Sequence, residues 1–312
     1  MKFYTLSIIT AFLFIFLFLP SCLFDKEIKQ DKQIAVFKYK LIKVQDSLDN
    51  HISRVNAYKT IIEEIDNDEY LITPRKKNNL LIEGNNYLSN EYLKEKNYDK
   101  AIHYSNIIIN TDPAYPKGYY TRGCIYQVME EDSLALVDYN TAIDLYQDYA
   151  EAYYNRGIIY EEQGKYDKAL ADYNRVIKFS PPFLANVYNN RGNVYLAKDD
   201  KEKAIGDYTK TITIDSTNTM AYCNRALVYI QQKEYDKALA DCNKVILLDT
   251  LNVNAYSKRA SIYELTKDYP EAIDDYVRIM KLDSFDKFGM LEMSKQAIQR
   301  LKPLVAPVKK TD

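Results

Sequence analysis

The chain has 312 residues, 47% of them apolar and 28% charged, enough for one large or two ordinary domains and too apolar for wholesale disorder. Lys and Arg total 42 against 44 Asp and Glu, which excludes the basic field that drives phosphate-backbone binding, so no nucleic-acid partner is expected. With 8 Gly, 9 Pro, no Trp and 30 Tyr, the composition suits helices joined by short loops and packed through rings that have an apolar body and a polar tip.

Residues 6–20 read LSIITAFLFIFLFLP, an apolar run of the length of a secretory h-region and short of the ~20 residues that a spanning helix needs. The run ends in Leu19-Pro20-Ser21-Cys22. A small residue directly before a cysteine resembles a bacterial lipoprotein signal, from which Pro20 departs. The resemblance implies removal of a signal peptide, 1–21, lipid attachment (palmitate) at Cys22, and a place in the bacterial cell envelope as a lipid-anchored membrane protein facing the periplasm or exterior. Cleavage would remove only Lys2 among the charged groups, leaving the balance slightly negative. Cys124, Cys223 and Cys242 then remain, an odd number inside predicted helices among apolar neighbours. They read as small buried thiols, without a disulfide framework or a metal site.

Residues 22–75 form an N-terminal helical segment. From 31 to 66 there is no Pro or Gly, and Ile34, Phe37, Leu41, Val44, Leu48, His51, Val55, Tyr58, Ile62 and Ile65 recur at steps of three and four. That heptad seam predicts one long helix that either pairs with a second copy as a coiled coil, making a homodimer, or lies against the rest of the chain. Pro74 and the PRKKNN stretch read as a hinge.

The next part repeats. Ser89, Gly123, Gly157, Gly192, Ala226 and Ala260 are spaced by 34, 34, 35, 34 and 34 residues. Ala101, Ala135, Ala169, Ala204, Ala238 and Ala272 keep the same spacing, and so do Tyr92, Tyr126, Tyr160, Tyr195, Tyr229 and Tyr263. Each unit reads as two helices and a tight turn, such as Gly164-Lys165, closed by a break such as Pro181. Small residues at facing positions let the two helices approach, and the tyrosines are expected to fill the space between one hairpin and the next.

A 34-residue helical hairpin with this order of small and aromatic positions resembles the tetratricopeptide repeat family. Tyr119, Tyr153, Tyr188, Tyr222 and Tyr256 stand at the family's leading aromatic position, and Pro113 and Pro181 at its closing proline. Asn85 replaces the first aromatic, and Gln147, Ser216, Thr250 and Ser284 replace proline. The resemblance implies an all-α fold: a right-handed α-solenoid of six hairpins over 76–286, after the long N-terminal helix and before a C-terminal capping helix.

Arg122, Arg156, Arg191, Arg225 and Arg259 precede the small residue of their units, and Asp138, Asp172, Asp207, Asp241 and Asp275 follow sixteen residues later. The first unit has Leu88 and Tyr104, losing both charges together. These columns predict bidentate ion pairs across each hairpin. Beyond the array, Phe288, Leu291, Ile298 and Leu301 predict an amphipathic capping helix at 287–302 that covers the open end, followed by a mobile tail at 303–312.

His51 and His103 are the only histidines and lie in unrelated segments, and no phosphate-cradling loop, Walker-type lysine or CxxC occurs. No enzyme activity and no cofactor or metal is expected. The family resemblance implies a concave groove lined by the first helices, here by Asn86, Asn90, Tyr120, Tyr154, Asn189, Asn193, Asn224, Asn254, Lys258 and Glu264. Asparagine both donates and accepts, which suits an extended peptide backbone. Some family members grip a terminal carboxylate with lysines and asparagines from successive hairpins; Asn193, Asn224 and Lys258 match that set, but Asn189 and Asn254 stand where lysines would be. The expected function is a non-enzymatic scaffold binding a peptide or helix of a protein partner. The alternatives are self-assembly through the heptad segment, and an accessory subunit of an envelope enzyme or transport complex.

Overall fold

The computed structural model describes residues 29–41, 51–67, 74–283 and 289–305, and all regular structure among them is α-helical. The expected signal peptide, Cys22, Val44, Leu48, the side chain of His51, Phe288 and residues 306–312 lie outside the described residues. Packing divides the chain into two compact units, Met1–Ala152 and Tyr153–Asp312.

In the first unit α1 (29–41) and α2 (His51–Asp66) lie side by side. Lys40 pairs with Glu64, and the Tyr58 hydroxyl donates to the carbonyl of Leu41 at 2.9 Å. In one continuous helix residues 40 and 64 would stand ~36 Å apart, at 1.5 Å per residue. The expected long N-terminal helix is therefore two helices folded against each other. Phe37, Leu41, Val55, Tyr58 and Ile65 are buried in one cluster with Leu80 and Leu88 of α3 (Pro74–Lys94). Of the two alternatives expected for the heptad face, these residues follow the second: they are covered by the chain's own first hairpin.

The PRKKNN stretch is also not a hinge: it forms the first turns of α3. Proline is tolerated there because a helix's first N–H has no intrahelical acceptor. Helix α3 pairs with α4 (Tyr98–Thr111), and α5 (Pro116–Val128) pairs with α6 (Asp132–Leu145).

The second unit begins within α7 (Ala150–Glu162), which pairs with α8 (Tyr166–Phe179). It continues through α9 (Leu184–Ala197) with α10 (Lys201–Ile214), α11 (Thr219–Gln231) with α12 (Tyr235–Leu248), and α13 (Val253–Thr266) with α14 (Tyr269–Leu282). The last helix, α15 (Leu291–Val305), buries Ser294, Ala297, Ile298 and Leu301, and three of these join Tyr256, Tyr276 and Ile279 in one cluster. It runs through Pro303 to Val305, so residues 303–305 are helical and not part of a tail.

Each hairpin turns on one residue in the left-handed region, namely Lys96, Glu130, Gly164, Asp199, Lys233 and Lys267, with φ between 59° and 68°. Only one of the six is glycine. The next residue's N–H bonds back to a tyrosine carbonyl, as Lys165 does to Tyr160 at 2.8 Å and Glu234 to Tyr229 at 2.8 Å. That long reverse bond satisfies helix-end carbonyls and offsets the steric cost of a left-handed side chain.

The small column seats a ring within the hairpin. A Cβ on Gly123, Gly157 or Gly192 would come 2.8, 2.7 or 2.8 Å from Cε1 of Tyr139, Tyr173 or Tyr208. Those three tyrosines of the second helices are fully buried, worth ~1.5–3 kcal/mol each for a large side chain removed from water. These three rings, which lie outside the Tyr92 to Tyr263 column expected to pack between hairpins, fill the inside of their own hairpin.

Candidate functional site

The Arg and Asp columns meet as five two-pronged pairs. Arg122 Nε and Nη2 donate to Asp138 at 2.8 and 2.8 Å, and Arg156 to Asp172 at 2.8 and 2.7 Å. The corresponding distances are 2.7 and 2.7 Å for Arg191–Asp207, 2.9 and 2.7 Å for Arg225–Asp241, and 2.8 and 2.7 Å for Arg259–Asp275. All five carboxylates are buried. The hydrogen bonds that Asp138, Asp241 and Asp275 accept hold the guanidinium groups of Arg122, Arg225 and Arg259 above their usual pKa. At Asp172 burial wins and pushes the carboxyl up against the pull of Arg156.

Two features of this ladder were not read from the sequence. Nη1 of Arg122, Arg191, Arg225 and Arg259 reaches back to Asn106, Asn174, Thr209 and Asn243 in the preceding second helix, at 2.6, 2.5, 2.9 and 2.6 Å. One guanidinium thus ties three helices. Four of the arginines also stack between two tyrosines of their own helix, as Arg156 does at 5.2 Å from Tyr153 and 5.8 Å from Tyr160. The column Asn106, Asn140, Asn174, Thr209 and Asn243 repeats with the array period and was the signal available.

The expected groove residues fall into different settings. In the first unit Asn86 accepts from the Thr121 hydroxyl at 3.1 Å, Asn90 is exposed, and Tyr120 packs 5.1 Å from Tyr149 and 6.0 Å from Tyr139. Burial pushes the Tyr120 phenol well above its ordinary pKa. In the second unit the Tyr154 ring lies 5.2 Å from Phe183, and its oxygen accepts from Asn190 at 3.1 Å.

Asn189, Asn193 and Asn224 are bound to one another. The Asn224 amide donates to Asn193 at 3.1 Å and to Asn189 at 3.3 Å, joining α9 to α11, while Tyr208 donates to Asn193 at 2.9 Å. Asn189 is 5% exposed. Its place in the lining is corrected: an amide bridged inside the fold holds neighbouring hairpins together and has little surface to offer a ligand. Glu264 is corrected likewise, because it accepts from Tyr276 at 2.7 Å and pairs with Arg300 of α15 at 2.7 Å.

What stays open lies at the start of α11 and α13. Thr219, Met220, Cys223, Asn224, Asn254 and Lys258 surround a hollow of about 300 Å³, together with Asn252. Lys258 has no ion-pair or hydrogen-bond partner among the described residues, and burial pushes the Cys223 thiol up, keeping it neutral. Amides, a hydroxyl and one cation can bond to a peptide backbone and to a negative group. Among the described residues no cluster of His, Cys, Asp and Glu could hold a metal ion, and no helix is long and apolar enough to cross a membrane.

Residues 150–183, 185–218 and 220–249 match the Tetratricopeptide repeat family, and residues 131–164 match the related TPR repeat family. The chain carries tetratricopeptide repeats. Its fold is an all-α solenoid of that type, and such repeats are generally protein–protein interaction scaffolds.

Among solved structures, pilF of Pseudomonas aeruginosa is similar with a TM-score of 0.62 at 16% identity, over 70% of this chain and 98% of that one. PilW, described as a widely conserved type IV pilus biogenesis factor, is similar with a TM-score of 0.61 at 15% identity, over 68% and 97%. YrrB, described as a TPR protein with an unusual peptide-binding site, is similar with a TM-score of 0.51 at 17% identity, over 61% and 97%. At these identities the likeness is one of fold. Comparison with curated proteins finds no match.

Proposed function

We propose that this chain is a non-enzymatic scaffold of the bacterial envelope, held at the membrane by lipid on Cys22, that binds a peptide or helix of a protein partner along the first helices of its hairpins. The observation that carries the binding surface is the hollow at α11 and α13, where Asn254 and Lys258 remain free while the neighbouring amides lock the hairpins. Of the expected lining, Asn224, Asn254 and Lys258 take the main part. With a single lysine present, capture of a terminal carboxylate is not the favoured mode. The anchor rests on the Ser21-Cys22 motif, and the fold likeness to PilW, a pilus biogenesis factor, is in keeping with an envelope setting.

A photo-crosslinking residue at Met220 or Asn254 in living cells tests this reading, with Lys237 on a second helix as control. A discrete adduct at the hollow, absent at Lys237 and lost with Asn224→Ala plus Lys258→Ala, is the expected result. Equal adducts at all three positions reject the surface, and unchanged membrane attachment of Cys22→Ser rejects the anchor.

A further inference from the structure

We propose that the trough between α14 and α15 is a second docking site, taking an acidic amphipathic helix from a protein partner. It is distinct from the hollow at α11 and α13 and does not rest on the reading above.

The trough has a volume of about 550 Å³ and a floor of Ile273, Val277 and Met280 from α14 and Ile298 from α15. Its rim is basic on both walls, with Lys281 on α14 and Lys295 and Lys302 on α15. Lys281 and Lys302 have no partner among the described residues, and Lys295 has only Glu292 at 3.7 Å. Lys295 and Lys302 are two turns apart on one face, ~10.5 Å along the axis.

Val277 departs from the ladder in an informative way. It occupies the position of Asn106, Asn174, Thr209 and Asn243, which elsewhere accept from the next unit's arginine. At the array's end that arginine position is Met293. Val277 and Met293 are 36% and 43% exposed, so the last join presents apolar surface where earlier ones are closed by a polar clasp.

A channel between two helices, apolar below and cationic on both sides, fits an amphipathic helix whose apolar stripe is flanked by carboxylates. The charge also does not favour the chain's own residues 306–312, which carry Lys309 and Lys310 against one carboxylate side chain, Asp312, and so lack the acidic excess that a basic rim calls for.

The test uses a designed, dye-labelled peptide of about four helical turns, with leucines on one face and glutamates two turns apart. Its lysine-for-glutamate counterpart serves as control. Binding to the full chain is read by fluorescence anisotropy. The acidic peptide is expected to bind and the basic one not, and Val277→Asp is expected to weaken binding by about tenfold or more, or 1.4 kcal/mol. Lys281→Glu with Lys302→Glu should reverse the preference toward the basic peptide. Those lysines are exposed, so this second variant decides the matter even if Val277→Asp unfolds. Equal binding of both peptides, or an unchanged preference after the lysine reversal, overturns the proposal. So does binding to phosphatidylglycerol vesicles, lost on that reversal, in place of peptide binding.

Discussion

Cε1 of Tyr173 lies 2.7 Å from where a Cβ on Gly157 would stand. The ring is fully buried, so the glycine in the middle of α7 is the seat of the residue that closes its hairpin from inside.

Gly157→Ala is therefore expected to destabilise the chain, although alanine is the better helix former by ~1 kcal/mol. Overpacking against a ring that cannot withdraw costs ~1–3 kcal/mol, and a net loss of about 1 kcal/mol is expected. Gly206, exposed within α10, has nothing within 4 Å of an added Cβ. There alanine should raise stability by about 0.5–1 kcal/mol. Urea unfolding of the two variants should show opposite shifts in midpoint; shifts of the same sign would remove the account of the seat.

At Arg225 and Asp241 the carboxylate is 4% exposed and takes two guanidinium bonds. Arg225→Ala strands that buried charge, with an expected loss of ~3–5 kcal/mol. Arg225→Lys should fall in between, because an ammonium keeps the charge but cannot bind on two prongs while stacking on Tyr222 and Tyr229. The double variant Arg225→Ala with Asp241→Ala should be milder than Arg225→Ala alone. Thermal melts of the three chains measure this, and a milder Arg225→Ala would show that the pair does not behave as a buried one.

Alkaline pH should unfold the protein cooperatively. Burial pushes the Cys242 thiol up to about 12 from an ordinary 9.0, and pushes the phenols of Tyr173, Tyr208 and Tyr276 well above 10.0. A raised folded-state pKa favours the protonated native state. Its stabilising effect is full below the unfolded value and is lost progressively as pH rises from about 9 through about 12 for the thiol, and from about 10 upward for the phenols. Tyrosinate absorbance of the buried rings is expected to appear together with loss of helical circular dichroism, and Cys242 to resist thiol labelling at pH 8. Rapid labelling of Cys242 in the folded chain would contradict its burial.

The helical hairpins could be read in the chain because spacing is a one-dimensional property: a 34-residue period of small, aromatic and alanine positions recurs wherever the same local packing recurs. The Arg–Asp columns were legible for the same reason, since both residues are missing together from the first unit. The left-handed turn residues were not. Lys96, Glu130, Lys233 and Lys267 carry no turn signature, and their conformation is held by the next residue's N–H, which bonds to the tyrosine carbonyl five residues before it.

The heptad seam shows where such reading stops. Its spacing is right for a helix face, but a face does not name its partner, and Lys40 beside Glu64 shows that the chain folds back on itself. The groove asparagines divide for a similar reason: Asn189 is bridged inside the fold while Asn254 lines the open hollow, and an amide column looks the same in the sequence whether it faces solvent or the amide of the next hairpin.

The sequence by itself thus determined helix, period and pairing within a unit, because those depend on residues close along the chain. Only the tertiary structure decided which rings the glycines seat, which amides bridge neighbouring hairpins, and where apolar surface stays open beside Val277. Those outcomes depend on how helices cross and on which faces a neighbouring helix covers, which no spacing encodes.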